Sequence, residues 1–186
     1  TISGRNAETI GAINQSHRLP SHLGDLVLDA GIRAQVGFEG IENADLILMV
    51  VPAQATRETL EAIGANALAH KPVALCAKGF ERGSNLRQSE ILAALAPDAE
   101  PFVLSGPSFA HDVAAGKPTA VTLAGPNVER AEEIAALLAG PSFRPYASGD
   151  IIGVEVCGGL KNVYALGAGA IEGAGLGLSA RSAFLA

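Results

Sequence analysis

The chain has 186 residues, 48% of them hydrophobic and 17% charged, with a formal net charge of -6. That balance excludes a disordered polyelectrolyte, and the length is enough to bury one core, or one and part of a second. An acidic chain argues against a nucleic-acid partner, which needs a basic face; it does not exclude a small anion, which a few lysines and backbone amides can hold.

Taken in order, Ala7 to Ser16 reads as a short helix, with Ile10 and Ile13 on one side, and His17 to Gly24 as a loop around Leu19-Pro20. Ile32 to Phe38 alternates as a strand, and Asn43-Ala44-Asp45 is a turn. Leu46 to Val51 is a continuous apolar run of strand length, the pattern of a parallel strand covered on both faces. Ala53 to Ala69 is expected as one helix with Leu60, Ile63 and Leu68 inward. Then follow a strand at Val73 to Ala77, a helix at Leu86 to Leu95, and strands at Phe102 to Leu104 and Thr119 to Leu123. A helix at Val128 to Leu138 and a strand at Phe143 to Tyr146 complete the alternation. Strands and helices in units of this length predict a doubly wound, Rossmann-like parallel sheet of the α/β class. From Asp150 onward the pattern is wholly helical, so the chain divides into 1–149, a Rossmann-like domain, and 150–186, the start of a helical domain.

Three segments carry the chemistry. In Gly153 to Gly167, Lys161-Asn162 interrupts an apolar, glycine-rich helix. Lysine is rarely buried without a partner, and desolvation lowers its pKa. A partly buried lysine on a glycine-lined face is a candidate proton donor or acceptor, against the alternative of a lysine whose stem snorkels to water. In Leu104-Ser105-Gly106-Pro107-Ser108-Phe109-Ala110, Gly106-Pro107 stops a strand and Ser108 stands where a helix would begin. A helix N-terminus with a hydroxyl suits a phosphate or another oxygen-rich ligand, or is an ordinary cap. In Cys76-Ala77-Lys78-Gly79-Phe80-Glu81, Lys78 falls at the carboxyl end of a strand, the edge where open α/β sheets bind ligands.

Together these segments resemble bacterial-type NAD(P)-dependent glycerol-3-phosphate dehydrogenase. The resemblance also takes in Ala44 to Gln54, and it covers nearly the whole chain in the family's order. It implies that Lys161 is the catalytic acid/base and that Lys78 lies near both nicotinamide and substrate. It further implies that Gly106 and Ser108 contact substrate, that Ala110 contacts the cofactor, and that Arg5 and Asn6 do so as well. The substrate would be dihydroxyacetone phosphate or glycerol 3-phosphate, made for phospholipid synthesis, and the cofactor NADP or NAD. Arg5, with no acid beside it, favours tolerance of the NADP 2′-phosphate. Asn162 could orient Lys161 or a carbonyl oxygen, or only pack a helix; Glu155, two turns before it on the same face, reads as a buried acid supporting the site.

The chain departs from the family in lacking a Gly-x-Gly-x-x-Gly loop and in reaching Ala186 before the family's Gly-Ile-Gly-Asp-Leu and Ser-Arg-Asn motifs. It begins at what reads as the end of a second strand and is expected to be an internal portion of a longer enzyme. Two readings compete: another two-domain Rossmann dehydrogenase, or a non-catalytic nucleotide-binding module. His17, His22, His70 and His111 fall near loops or helix ends, none with a second ligand at metal spacing in the sequence, and are expected to be solvated with no metal site. Cys76 and Cys157 read as reduced, buried thiols of a cytoplasmic protein. The helical stretch from Ile151 to Leu178 carries Glu155, Lys161 and Glu172, which argues against a membrane span. A homodimer is compatible with the resemblance.

Overall fold

A computed structural model describes Thr1 to Ala186, apart from the side chains of Pro20 and Ser21. Two parallel strands, β1 (Ile2–Gly4) and β2 (Ala34–Val36), flank helix α1 (Ala7–Ser16) and form a small unit of their own. The main sheet has the order β3-β4-β5-β6-β7: β3 (Ile47–Met49), β4 (Pro72–Leu75), β5 (Glu100–Ser105), β6 (Thr119–Ala124) and β7 (Phe143–Ser148). Between them run α2 (Thr56–Ile63), α3 (Gln88–Leu95), the short α4 (Ala110–Ala114) and α5 (Val128–Leu138). Two helices follow, α6 (Ile151–Gly173) and α7 (Gly177–Leu185).

The period-two alternation of the strands divides the core between the two faces of the sheet. Ile47, Met49, Val73, Leu75 and Val103 pack against Leu60 of α2 and Ile91 and Leu92 of α3, with Ile151 and Val154 of α6 joining from the edge. Ala74, Phe102 and Leu123 turn the other way, onto Ile134 and Ala135 of α5. Helices thus cover both faces of β4 and β5. β3, at the end of the main sheet, leaves Leu48 and, just beyond it, Val50 exposed, which corrects the expectation of a strand covered on both faces.

β3, β4 and β5 are mutually parallel, as the sequence predicts. β6 is antiparallel to β5, so the sheet is mixed rather than wholly parallel. The physical reason lies in residues 106–118, which contain only the short α4. This segment stays at one edge of the sheet and returns the chain beside β5, whereas a parallel return would need a full crossover.

The expected helix from Ala53 to Ala69 breaks at Gly64, whose φ of 85° ends α2 and starts a separate turn at Ala65–Leu68. The expected loop His17 to Gly24 holds a helical turn at Pro20–Leu23. The run from Ile151 to Leu178 is two helices, parted at Gly175 and Gly177 with φ of 68° and 83°. α6 starts where the sequence puts a helix start: Asp150 Oδ1 accepts the Gly153 N–H at 2.8 Å, a side-chain cap. Among the described residues no helix is long and apolar enough to cross a membrane.

Candidate active site

The carboxyl edge of β4 and β5 gathers the site. Because these strands are parallel and adjacent, the turns that leave them, at Lys78 and at Gly106, must lie side by side. Lys78 Nζ donates to the Gly106 carbonyl at 2.8 Å. Gly106 sits where a side chain does not fit: a Cβ there would come within 2.9 Å of Val121 Cα on β6. The Ser108 N–H folds back onto the same Gly106 carbonyl at 3.0 Å.

Helix α6 reaches this edge along the face of the sheet, and its glycines set how close it comes. A Cβ on Gly158 would lie 2.7 Å from Ser105 Oγ, and one on Gly159 would lie 3.1 Å from the Phe80 ring. Val154, Gly158 and Lys161 repeat at helical spacing and line a cavity of about 240 Å³ with Ser105, Gly106, Pro107, Thr122 and Cys157. Lys161 Nζ stands 5.7 Å from the centre of the Phe109 ring, within reach of a cation–π contact.

The electrostatics follow from this crowding. Partial burial, and then the positive charge of Lys161, lower the pKa of Lys78. Burial pushes the Cys76 thiol up to about 11, with Lys78 pulling the other way. Lys161 itself is exposed, which corrects the expectation of a partly buried lysine. Gly158 and Gly159 of α6 face Ser105 and Phe80.

The turn bearing Lys78 is braced by residues that the sequence did not single out. Gln54 donates from Nε2 to the Phe80 carbonyl at 2.8 Å and accepts the Arg82 N–H at 2.9 Å. Arg57 grips Glu81 with two bonds of 2.7 and 2.9 Å. With Ser84 also donating, this pair draws the Glu81 carboxyl down to about 2. Gln88, only 2% exposed, donates to the Gly79 carbonyl at 2.8 Å. A glutamine at the start of a predicted helix carried no signal that its side chain would turn inward. Gln54 was visible only as part of the Val-Val-Pro-Ala-Gln turn.

Other expected site residues are placed differently. Ser108 does not start a helix: α4 begins at Ala110 after Phe109, and no side chain caps it. Ser108 and Ala110 are both exposed beside the edge. Arg5 stands exposed just after β1, and Asn6 caps α1 by accepting the Thr9 N–H at 2.9 Å. Asn162 is exposed, and Glu155 is buried. Cys157 is exposed, which corrects the expectation of a buried thiol. His17 is half-buried rather than solvated, with its Nδ1 shut away from water. No group of three or more His, Cys, Asp or Glu residues suited to a metal ion occurs among the described residues.

Sequence profiles complete the picture. The profile of the NAD-dependent glycerol-3-phosphate dehydrogenase N-terminus matches residues 1–131, and that of its C-terminus matches residues 150–186. The chain belongs to the NAD-dependent glycerol-3-phosphate dehydrogenase family.

Family members from two bacteria illustrate the match. A protein of Brucella ovis, named glycerol-3-phosphate dehydrogenase, NAD(P)+, is 47% identical over 99% of this chain and 57% of its own length. One of the same name from Rhodospirillum rubrum is 44% identical over 100% of this chain and 53% of its own. The chain thus spans a little over half the length of the curated relatives it matches. The crystal structure of a glycerol-3-phosphate dehydrogenase from Coxiella burnetii superposes with a TM-score of 0.83 at 31% identity, covering 98% of this chain and 56% of that one. A Plasmodium falciparum glycerol-3-phosphate dehydrogenase gives 0.85 at 26% identity, over 96% and 51%. The α/β body is therefore a glycerol-3-phosphate dehydrogenase Rossmann fold.

The residues present suit a phosphate-bearing ligand. On a chain of net charge -6, this edge carries Lys78 and Lys161, with Arg5 at the end of β1. Two acids that follow these turns in the chain are engaged elsewhere, Glu81 by Arg57 and Asp112 by Lys117 at 2.6 Å.

Proposed function

We propose that the protein carrying this chain interconverts dihydroxyacetone phosphate and sn-glycerol 3-phosphate with NADP(H) or NAD(H), and so supplies glycerol 3-phosphate for phospholipid synthesis. The observation that carries the reading is the meeting of Lys78, Gly106 and the α6 face of Lys161 at one carboxyl sheet edge. Residues 1–149 form the dinucleotide-binding domain and 150–186 the start of the helical substrate domain. Arg5 and Asn6, with Lys78 and Ala110, would hold the dinucleotide, which when bound supplies or accepts the hydride.

The remaining roles belong to this chain's side chains. Gly106 and Ser108 bind substrate. The Lys78 ammonium faces the oxygen on which negative charge grows, a stabilisation strongest where water is excluded. Lys161 Nζ donates a proton to that oxygen in reduction and takes it back in oxidation. Repulsion between the two lysines is relieved when an anionic substrate lies between them, so the pair favours a phosphorylated ligand over a neutral one. A cytoplasmic location and a homodimer rest on the family reading alone.

The test is turnover of the full-length protein with dihydroxyacetone phosphate and each reduced dinucleotide in turn. Reduction with one or both is expected, and reduction with neither overturns the proposal. Arg5→Ala should weaken NADPH more than NADH by about 1.5–3 kcal/mol, the range for a hydrogen bond to a charged group; equal weakening would remove Arg5 from the 2′-phosphate.

A further inference from the structure

We infer that Glu155 is a positioning residue: it fixes the rotation and height of α6 and so aims Lys161 across the cavity toward Lys78. This rests on the reaction proposed above.

Glu155 is 9% exposed, rare for an acid, and its partners all come from the start of α3. Its Oε1 accepts the Ser89 N–H at 2.8 Å, its Oε2 accepts from the Ser89 hydroxyl, and Arg87 lies 3.5 Å from Oε2. A carboxylate at a helix N-terminus satisfies a free N–H and meets the positive end of the helix dipole. Here the carboxylate comes from another element, so the cap also ties α6 to the body.

The same stretch of α3 reaches the active site from the other side. Gln88, next to Ser89, donates to the carbonyl of Gly79, the neighbour of Lys78. One turn of α3 therefore holds the Lys78 turn through Gln88 and the Lys161 helix through Ser89. On α6, Glu155 and Gly159 share the face that meets α3 and the Phe80 turn, while Val154, Gly158 and Lys161 share the adjacent face that lines the cavity. Fixing the first face fixes where the second one points. Lys161 has no such hold of its own: it is exposed, and its ring contact is to Phe109, itself 66% exposed.

The experiment is a double-mutant cycle in the full-length protein between Glu155→Ala and Lys161→Ala, read as dihydroxyacetone phosphate reduction well below the melting temperature. Glu155→Ala alone should lower kcat roughly 10- to 100-fold, the cost of a misplacement near 1 Å, with KM for the dinucleotide unchanged. In the Lys161→Ala background it should cost less than about twofold more, because it acts through the residue already removed. Glu155→Gln, which keeps an acceptor for Ser89, should fall between wild type and Glu155→Ala and covers the case in which the alanine variant does not fold. Losses that multiply, or full kcat in the folded Glu155 variants, overturn the positioning role. An inactive wild type, or normal turnover by Lys161→Ala, would instead strike the reaction or the role of Lys161.

Discussion

Within the α/β body, Val73, Phe102 and Leu123 are fully buried, and strands β3 to β6 turn side chains into two cores; along α6 and α7, Glu155 is the only buried residue among those described. Leu166 and Leu178 are 76% and 78% exposed. The body is held by apolar area removed from water. The start of α6 is held by two apolar residues, one acid and two glycines placed where backbone meets side chain. The contrast separates stability from chemistry: the proposed reacting groups stand where the core ends, on elements fixed by polar contacts that a small change can loosen.

That contrast can be broken by experiment. The largest effect is expected at Lys161→Ala in the full-length protein: roughly 10²–10⁴-fold in kcat, the contribution of a positioned acid/base. Its melting temperature should barely move, since exposed side chains usually contribute within about 0.5 kcal/mol. Lys161→Arg should restore little, because a guanidinium holds its proton near neutral pH. Near-normal turnover by Lys161→Ala would move the acid/base role elsewhere. The reverse outcome is expected at Phe102→Ala, which should cost about 3–5 kcal/mol in denaturant unfolding, with kcat of the folded fraction retained. A lost kcat there would show that core and site are coupled.

Gly158→Ala tests the contact between the two regions. Its Cβ would meet Ser105 Oγ at 2.7 Å, and overpacking of this kind costs about 1–3 kcal/mol. Amides of α6 should exchange faster in the variant while those of β4 and β5 keep their protection; uniform loss would mean that α6 is part of one cooperative unit with the sheet.

The smallest effect is set by pH. The Glu81 carboxyl is drawn down to about 2 by Arg57 and Ser84. A depressed carboxyl stabilises the fold fully above its unfolded value of 4.5 and loses that contribution as the pH falls toward 2. The melting-temperature gap between wild type and Glu81→Gln should therefore be constant above that window and close within it. A gap that stays open at pH 2 would show that the pair is not what Glu81 contributes.

Much of this was legible in the sequence. The apolar runs at Leu46–Val51 and Val73–Ala77 located two parallel strands, though only the second is covered on both faces; the first leaves Leu48 and Val50 open to water. The punctuation by Gly106-Pro107 placed one edge turn and Lys78 another. Local pattern could not give the antiparallel return of β6, which depends on how residues 106–118 close on themselves, nor the break at Gly64, because a glycine inside a helical pattern is often tolerated. The exposure of Lys161 is not legible either: its apolar, glycine-rich surroundings in sequence suggest partial burial, whereas Gly158 and Gly159 make room for Ser105 and Phe80. The bracing by Gln54, Gln88 and Ser89 joins residues distant in sequence, and nothing in their own neighbourhoods marks them.

The two thiols offer a practical handle. Cys76 is largely buried and held protonated, whereas Cys157 is exposed, on the wall of the cavity and one turn before Lys161. A maleimide dye should therefore attach at Cys157 in preference to Cys76, since a thiol must be reached by solvent to react quickly. The chain carries its own labelling position for fluorescence, and occupancy of the cleft could be followed by quenching without any engineered cysteine.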